Sequence, residues 1–93
     1  MAVTFLIPAH LAALASDQKT IRVEAQSPTV RGALEALWQR HPTLRDRVVD
    51  ERGEVRQHIN IFVGSECIRF VDGLATPAPE GSEISIVPAV SGG

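Results

Sequence analysis

The residues of this 93-residue sequence that best suggest chemistry are the last two, Gly92 and Gly93. A terminal carboxylate is a poor electrophile and accepts a nucleophile only after activation, for example as an acyl-adenylate. Two residues without a Cβ make the narrowest peptide strand and permit backbone angles closed to other residues. The doublet, with Ser91 before it, therefore predicts a chain end that can be threaded into the ATP site of another protein.

The other reactive side chains favour structural roles. His10, His41 and His58 do not stand at metal-ligand spacing, such as i, i+4 on a helix. Cys67 opens a short predicted strand and is expected to pack as a small hydrophobe. The carboxylates are scattered over turns and outer faces, and the remaining glycines form no phosphate-binding loop. We therefore predict no catalytic residue, no metal site and no cofactor bound by the chain itself.

Composition narrows the class of protein further. A hydrophobic fraction of 44% and a charged fraction of 22% are typical of one folded domain. The net charge of −2 comes without a basic cluster, which argues against a nucleic-acid partner. A single cysteine excludes an intramolecular disulfide. The apolar N-terminus lacks a basic start, is interrupted by Pro8 and is too short to cross a bilayer. These features predict a cytoplasmic protein with no membrane partner.

Hydrophobic periodicity predicts five strands and one main helix. The helix follows Ser27-Pro28-Thr29, which combines capping hydroxyls with a proline, and it ends at Pro42. Residues 10–19 are expected to be irregular, and residues 44–49 to form a short helical turn. The predicted strands are 2–7, 20–25, 57–63, 66–70 and 82–88.

This order of elements predicts an α+β protein with the β-grasp fold, which is the fold of ubiquitin. Its mixed sheet of four to five strands carries the helix on one face, and the first and last strands lie parallel at its centre. We expect a globular domain over residues 1–88 and a flexible C-terminal tail over residues 89–93. Strand alternation places Leu6, Phe62 and Val87 on the face opposite the helix. We expect them to form one row across that face and to dock a partner.

The fold pattern and the terminal doublet together resemble the ThiS/MoaD family of ubiquitin-like sulfur carriers. This family includes the thiamine-pathway carrier and the small subunit of molybdopterin synthase. The resemblance covers the whole chain and is closest to the actinobacterial carrier that feeds sulfur into cysteine biosynthesis. The stretches that carry it most specifically are 59–63 with 68–70 (INIFV, IRF), 73–76 (GLAT) and 80–93 (EGSEISIVPAVSGG).

The resemblance implies a carrier rather than an enzyme. Gly93 would be adenylated and converted to a thiocarboxylate, with Gly92 and Ser91 threading the chain end. The implied partners are an ATP-using adenylyltransferase similar to ubiquitin-activating enzymes, a cysteine synthase or other sulfur-accepting enzyme, and a metal-dependent isopeptidase. Three alternatives stay open: a molybdopterin synthase subunit, a protein modifier joined to lysines through Gly93, and an interaction module with an inert tail.

Overall fold

The computed structural model describes residues 1–88 as a five-stranded sheet packed against helices. Short 3₁₀ turns cover 42–44, 68–70 and 73–75. No helix in this range is long and apolar enough to cross a membrane. The strands and helices, in chain order, are β1 (Ala2–Leu6), α1 (Ala9–Ala12), β2 (Thr20–Glu24), α2 (Val30–Arg40), α3 (Arg45–Val48), β3 (Ile59–Val63), β4 (Glu66–Cys67) and β5 (Glu83–Pro88).

The strand order across the sheet is β2-β1-β5-β3-β4. Strands β1 and β5 run parallel, and the other neighbours run antiparallel. The predicted α+β class and β-grasp arrangement are therefore confirmed, including the central position of β5 beside β1. The predicted division into a domain and a tail stays a prediction, because residues 89–93 lie outside the described part.

Strand alternation supplies one half of the core and the helix supplies the other. Phe5, Ile61 and Ile84 point from the sheet toward α2 and are 0%, 1% and 0% exposed. On the helix, Val30 and Leu37 are both 0% exposed, as their spacing predicts. Burying such side chains contributes about 1.5–3 kcal/mol each. This core holds the sheet flat against α2 and leaves the opposite face open.

Helix α2 begins at the predicted start signal. The Thr29 side chain is the N-cap, because its Oγ1 accepts a hydrogen bond from the Gly32 N–H at 3.1 Å. Pro28 therefore lies before the cap and not in the first helical turn. At the other end the His41 N–H donates to the Leu37 carbonyl, and Pro42 begins a 3₁₀ turn. α3 follows at once and buries Val48, as expected for the turn at 44–49.

Two predictions about local structure were wrong. The segment after Pro8 is not wholly irregular, since it opens with α1, which buries Leu11 and Ala12 against the core. The fourth strand does not continue to Phe70, because it ends at Cys67 and a 3₁₀ turn follows. That turn directs Ile68 into the core, where it is 3% exposed. The chain therefore bends directly after Cys67, although residues 66–70 have the composition of a strand.

Candidate docking face and carboxyl end of strand β5

The open face of the sheet changes from polar to apolar along β5. Near the start of β5, the side chains in register across the sheet are Arg22, Thr4 and Glu83. Two residues further along, Leu6 and Phe62 lie on either side of Ser85. The apolar part of the face is therefore the part toward the carboxyl end of β5, where the chain leaves the sheet.

The three predicted docking residues share this face, and all are partly buried. Leu6 and Phe62 lie in one row, since each is the register partner of Ser85. Val87 does not lie in that row. It pairs with Asn60, one step nearer the end of β5. The alternation predicted the face correctly, but the row also depends on the register between strands, which alternation does not fix. Their role in docking stays a prediction.

The end of β5 is held by the start of β3. Pro88, the last described residue, is the register partner of Ile59. The Gly64 N–H donates to the Glu83 carbonyl, so the even-numbered residues of β3 form the hydrogen bonds to β5. The Ile59 carbonyl therefore faces the other way, toward β4. β4 is too short to reach it, since its register partners are Phe62 and Val63 alone.

Arg69 takes the place of the missing strand. Its Nη2 donates to the Ile59 carbonyl at 2.8 Å, to the Gln57 carbonyl at 2.9 Å and to the Arg56 carbonyl at 3.3 Å. One guanidinium thus fixes the segment that leads into β3 and, through Ile59, the strand end opposite Pro88. Sequence reasoning assigned no role to Arg69, because the bonds join residues ten to thirteen positions apart.

A second feature missed from the sequence is an exposed aromatic residue. Phe70 is 86% exposed and Val71 is 41% exposed, directly after the 3₁₀ turn that ends with Phe70. The sequence predicts a strand over residues 66–70, and for this reason it does not indicate that Phe70 is exposed. The Asp72-Gly73 turn signal that follows was the only hint that the chain bends here.

The remaining titratable groups do not converge on a reactive centre. Residues 1–88 contain no group of three or more His, Cys, Asp or Glu side chains able to hold a metal ion. Cys67 is partly buried and is the register partner of Phe62. The pKa of Asp50 is lowered, chiefly because its carboxylate accepts the Glu54 N–H and also because of Arg52. This carboxylate closes the 50–54 loop.

The residues predicted to carry the chemistry, Ser91, Gly92 and Gly93, lie outside the described residues. The structure shows only where the chain enters that segment, at Pro88, which follows Val87 at the apolar end of β5. The prediction for these three residues therefore depends on the sequence and on the known proteins that the chain resembles.

A small mixed sheet with β5 at its centre and a main helix, α2, packed on one face defines a ubiquitin-like β-grasp protein. The model of the ThiS family matches residues 5–93. The chain belongs to the ThiS family, and it is a small ubiquitin-like protein of the sulfur-carrier type.

Named relatives agree with this assignment. The sulfur carrier protein CysO of Mycobacterium tuberculosis is 34% identical over 95 residues, and the alignment covers 100% of both chains. Small archaeal modifier protein 1 of Haloferax volcanii is 41% identical over 86 residues, covering 91% of this chain and 93% of that protein. Among solved structures, the Amycolatopsis orientalis BexX/CysO complex contains a chain with a TM-score of 0.85 and 33% identity, covering 98% of this chain and 99% of that one.

Proposed function

We propose that this protein is a sulfur carrier that bears the transferable sulfur as a thiocarboxylate on Gly93. The acceptor would be an enzyme that synthesises cysteine or a related sulfur metabolite. The main support is the 34% identity to CysO, in an alignment that covers 100% of both chains and so spans Gly92 and Gly93 of this chain. The match of the ThiS family model to residues 5–93 also supports a carrier.

The proposed chemistry has two steps. The Gly93 carboxylate attacks the α-phosphorus of ATP, and pyrophosphate leaves, which gives an acyl-adenylate. A sulfide sulfur then attacks the activated carbonyl and AMP leaves, so that one carboxyl oxygen is replaced by sulfur. Both steps take place in an adenylyltransferase partner. The thiocarboxylate is a nucleophile near neutral pH and can attack an electrophile held by an acceptor such as a cysteine synthase.

The globular part would present the chain end at the partner's active site. Leu6, Phe62 and Val87 lie on the open face toward the carboxyl end of β5, where the chain leaves the sheet. Five residues follow Pro88, and a segment of that length can span at most about 18 Å. A partner that grips the apolar end of the open face would therefore find Gly93 within about that distance. A metal-dependent isopeptidase would release the product from Gly93.

A second candidate function is protein modification, in which Gly93 is joined to lysines of other proteins. It is favoured by the 41% identity to small archaeal modifier protein 1 over 86 residues. Both functions begin with the same adenylation of Gly93. They differ in the nucleophile that follows, which is a sulfide for the carrier and a lysine amine for the modifier.

Intact-mass spectrometry of the protein isolated from its native cells tests the proposal. A thiocarboxylate adds about 16 mass units, because sulfur replaces oxygen. Deleting Gly93, or adding one residue after it, should abolish ATP–pyrophosphate exchange with the activating enzyme while the melting temperature stays unchanged. Continued exchange by the truncated protein would contradict the proposal. Conjugates to other proteins that vanish on deletion of Gly93, without any thiocarboxylate, would establish the modifier instead.

A further inference from the structure

Strand β2 forms one edge of the sheet and has β1 as its neighbour. The Met1 ammonium donates to the Ala25 carbonyl, the Ala25 N–H donates to the Met1 carbonyl, and the Ile7 N–H donates to the Lys19 carbonyl. The odd-numbered residues of β2 therefore form the hydrogen bonds to β1. It follows that the N–H and C=O groups of Thr20, Arg22 and Glu24 point away from the sheet, along its free edge.

One of these outward groups already has a donor from another element. Arg40, the last residue of α2, donates from Nη1 to the Arg22 carbonyl at 2.6 Å. Beside the edge there is an open cavity of about 460 Å³, with Glu24 and Gln26 on one side and Gly32 and Ala36 of α2 on the other. The edge is thus bordered by open space, and a single exposed arginine side chain partly covers it.

The edge is complementary to itself in charge. When two copies of β2 run antiparallel and centred on Val23, Arg22 of each copy lies opposite Glu24 of the other. Thr20 then lies opposite Gln26. In this register the outward-pointing residues face each other, so each Arg22–Glu24 pair exchanges both of its main-chain hydrogen bonds. Oppositely charged cross-strand pairs stabilise a sheet, and like charges directly opposite destabilise it.

Neighbouring registers lack this complementarity. A shift of two residues in one direction places Arg22 opposite Arg22 of the second copy, and a shift in the other direction places Glu24 opposite Glu24. A shift of one residue would place residues whose main-chain N–H and C=O groups point away from the sheet opposite residues whose groups point toward β1. The sequence of β2 therefore selects the register centred on Val23.

We propose that β2 is the interface of a symmetric homodimer, in which the two sheets join edge to edge across β2. Arg40 restrains this association, because its guanidinium must release the Arg22 carbonyl before the strands pair. The Met1 ammonium, 3.3 Å from the Glu24 carboxylate, is a weaker competitor because Glu24 is 75% exposed. The second copy extends the sheet beyond β2, so the face that carries Leu6, Phe62 and Val87 stays uncovered. Dimer formation and the proposed docking therefore use different surfaces.

Sedimentation velocity over a range of concentrations tests the dimer. We expect a weak dimer with a Kd of about 0.1–1 mM, since the contact is small and mostly main-chain. Arg22→Glu and Glu24→Arg should each weaken it at least tenfold, because either change creates two like-charge pairs. The double variant Arg22→Glu/Glu24→Arg should restore the wild-type Kd. Arg40→Ala should tighten the dimer several-fold.

The control is Arg47→Glu, which changes the net charge as Arg22→Glu does but lies on α3 and does not line the cavity beside the edge. It should leave the Kd unchanged. The proposal is overturned if wild type and Arg40→Ala both stay monomeric at about 1 mM, which would leave an extended peptide of another protein as the occupant to consider. It is also overturned if the single reversals dimerise like wild type, or if the double variant does not recover.

Discussion

Replacing Arg69 with alanine should reduce stability well beyond the usual effect of a surface substitution. The guanidinium bonds three main-chain carbonyls, but the bonds to Arg56 and Gln57 are exposed, so water can replace them. The bond to the Ile59 carbonyl is partly buried, and β4 does not reach that carbonyl. A hydrogen bond to a charged group contributes about 1.5–3 kcal/mol. We therefore expect Arg69→Ala to lower the free energy of unfolding by about 2 kcal/mol.

For a domain of this size such a loss corresponds to a fall in melting temperature of about 8–16 °C. Denaturant and thermal unfolding followed by circular dichroism measure both quantities. Arg47→Ala is the matched control, because Arg47 is exposed and makes no hydrogen bond or ion pair within residues 1–88. Its effect should stay within about 0.5 kcal/mol. Arg69→Lys should be intermediate, since a lysine ammonium can reach fewer of the carbonyls. If Arg69→Ala unfolds like Arg47→Ala, the assigned role of Arg69 is wrong.

Three further substitutions test the docking face, the site of the sulfur and the packing of α2. Phe62→Ala should cost about 1–3 kcal/mol of affinity for the activating enzyme in titration calorimetry, with little change in stability. Thr4→Ala on the same face is its control. Equal affinities of wild type and Phe62→Ala for the activating enzyme would refute the proposed docking face. Cys67→Ser should leave sulfur transfer intact, and a folded variant unable to deliver sulfur would place the chemistry on Cys67. Gly32→Ala should destabilise by about 1–3 kcal/mol despite the better helix propensity of alanine, because the new Cβ would clash with Ser27 Oγ and lie 2.8 Å from the Ser27 carbonyl oxygen. If Gly32→Ala unfolds like the wild-type protein, this last expectation is wrong.

Most of the fold was predictable because burial and secondary-structure period agree along the chain. Ile21 and Val23 alternate with polar residues and are buried in β2, and Ile84 and Ile86 do the same in β5. The start of α2 was marked by hydroxyl side chains, and its end by Pro42. Where the two signals disagreed, prediction failed. Residues 66–70 have strand composition, but the chain turns after Cys67, with Ile68 buried and Phe70 left in solvent.

The candidate site was predictable only in part. Alternation placed Leu6, Phe62 and Val87 on the correct face, but the offset of Val87 depends on pairing between distant strands. The bonds of Arg69 likewise join elements separated in sequence, and no local pattern identifies them. The assignment of the chemistry to Gly93 came from the terminal doublet and the family resemblance.

The position of β5 has a consequence for how the protein is made. β5 leaves the ribosome after the other four strands of the sheet, yet it lies between β1 and β3 and joins them. Until residues 83–88 emerge, Leu6 on β1 and Phe62 on β3 have no common neighbour, and the face that carries them does not exist. A partner that selects this face would therefore ignore nascent or prematurely terminated chains. The topology of the sheet thus makes the proposed docking depend on the synthesis of β5.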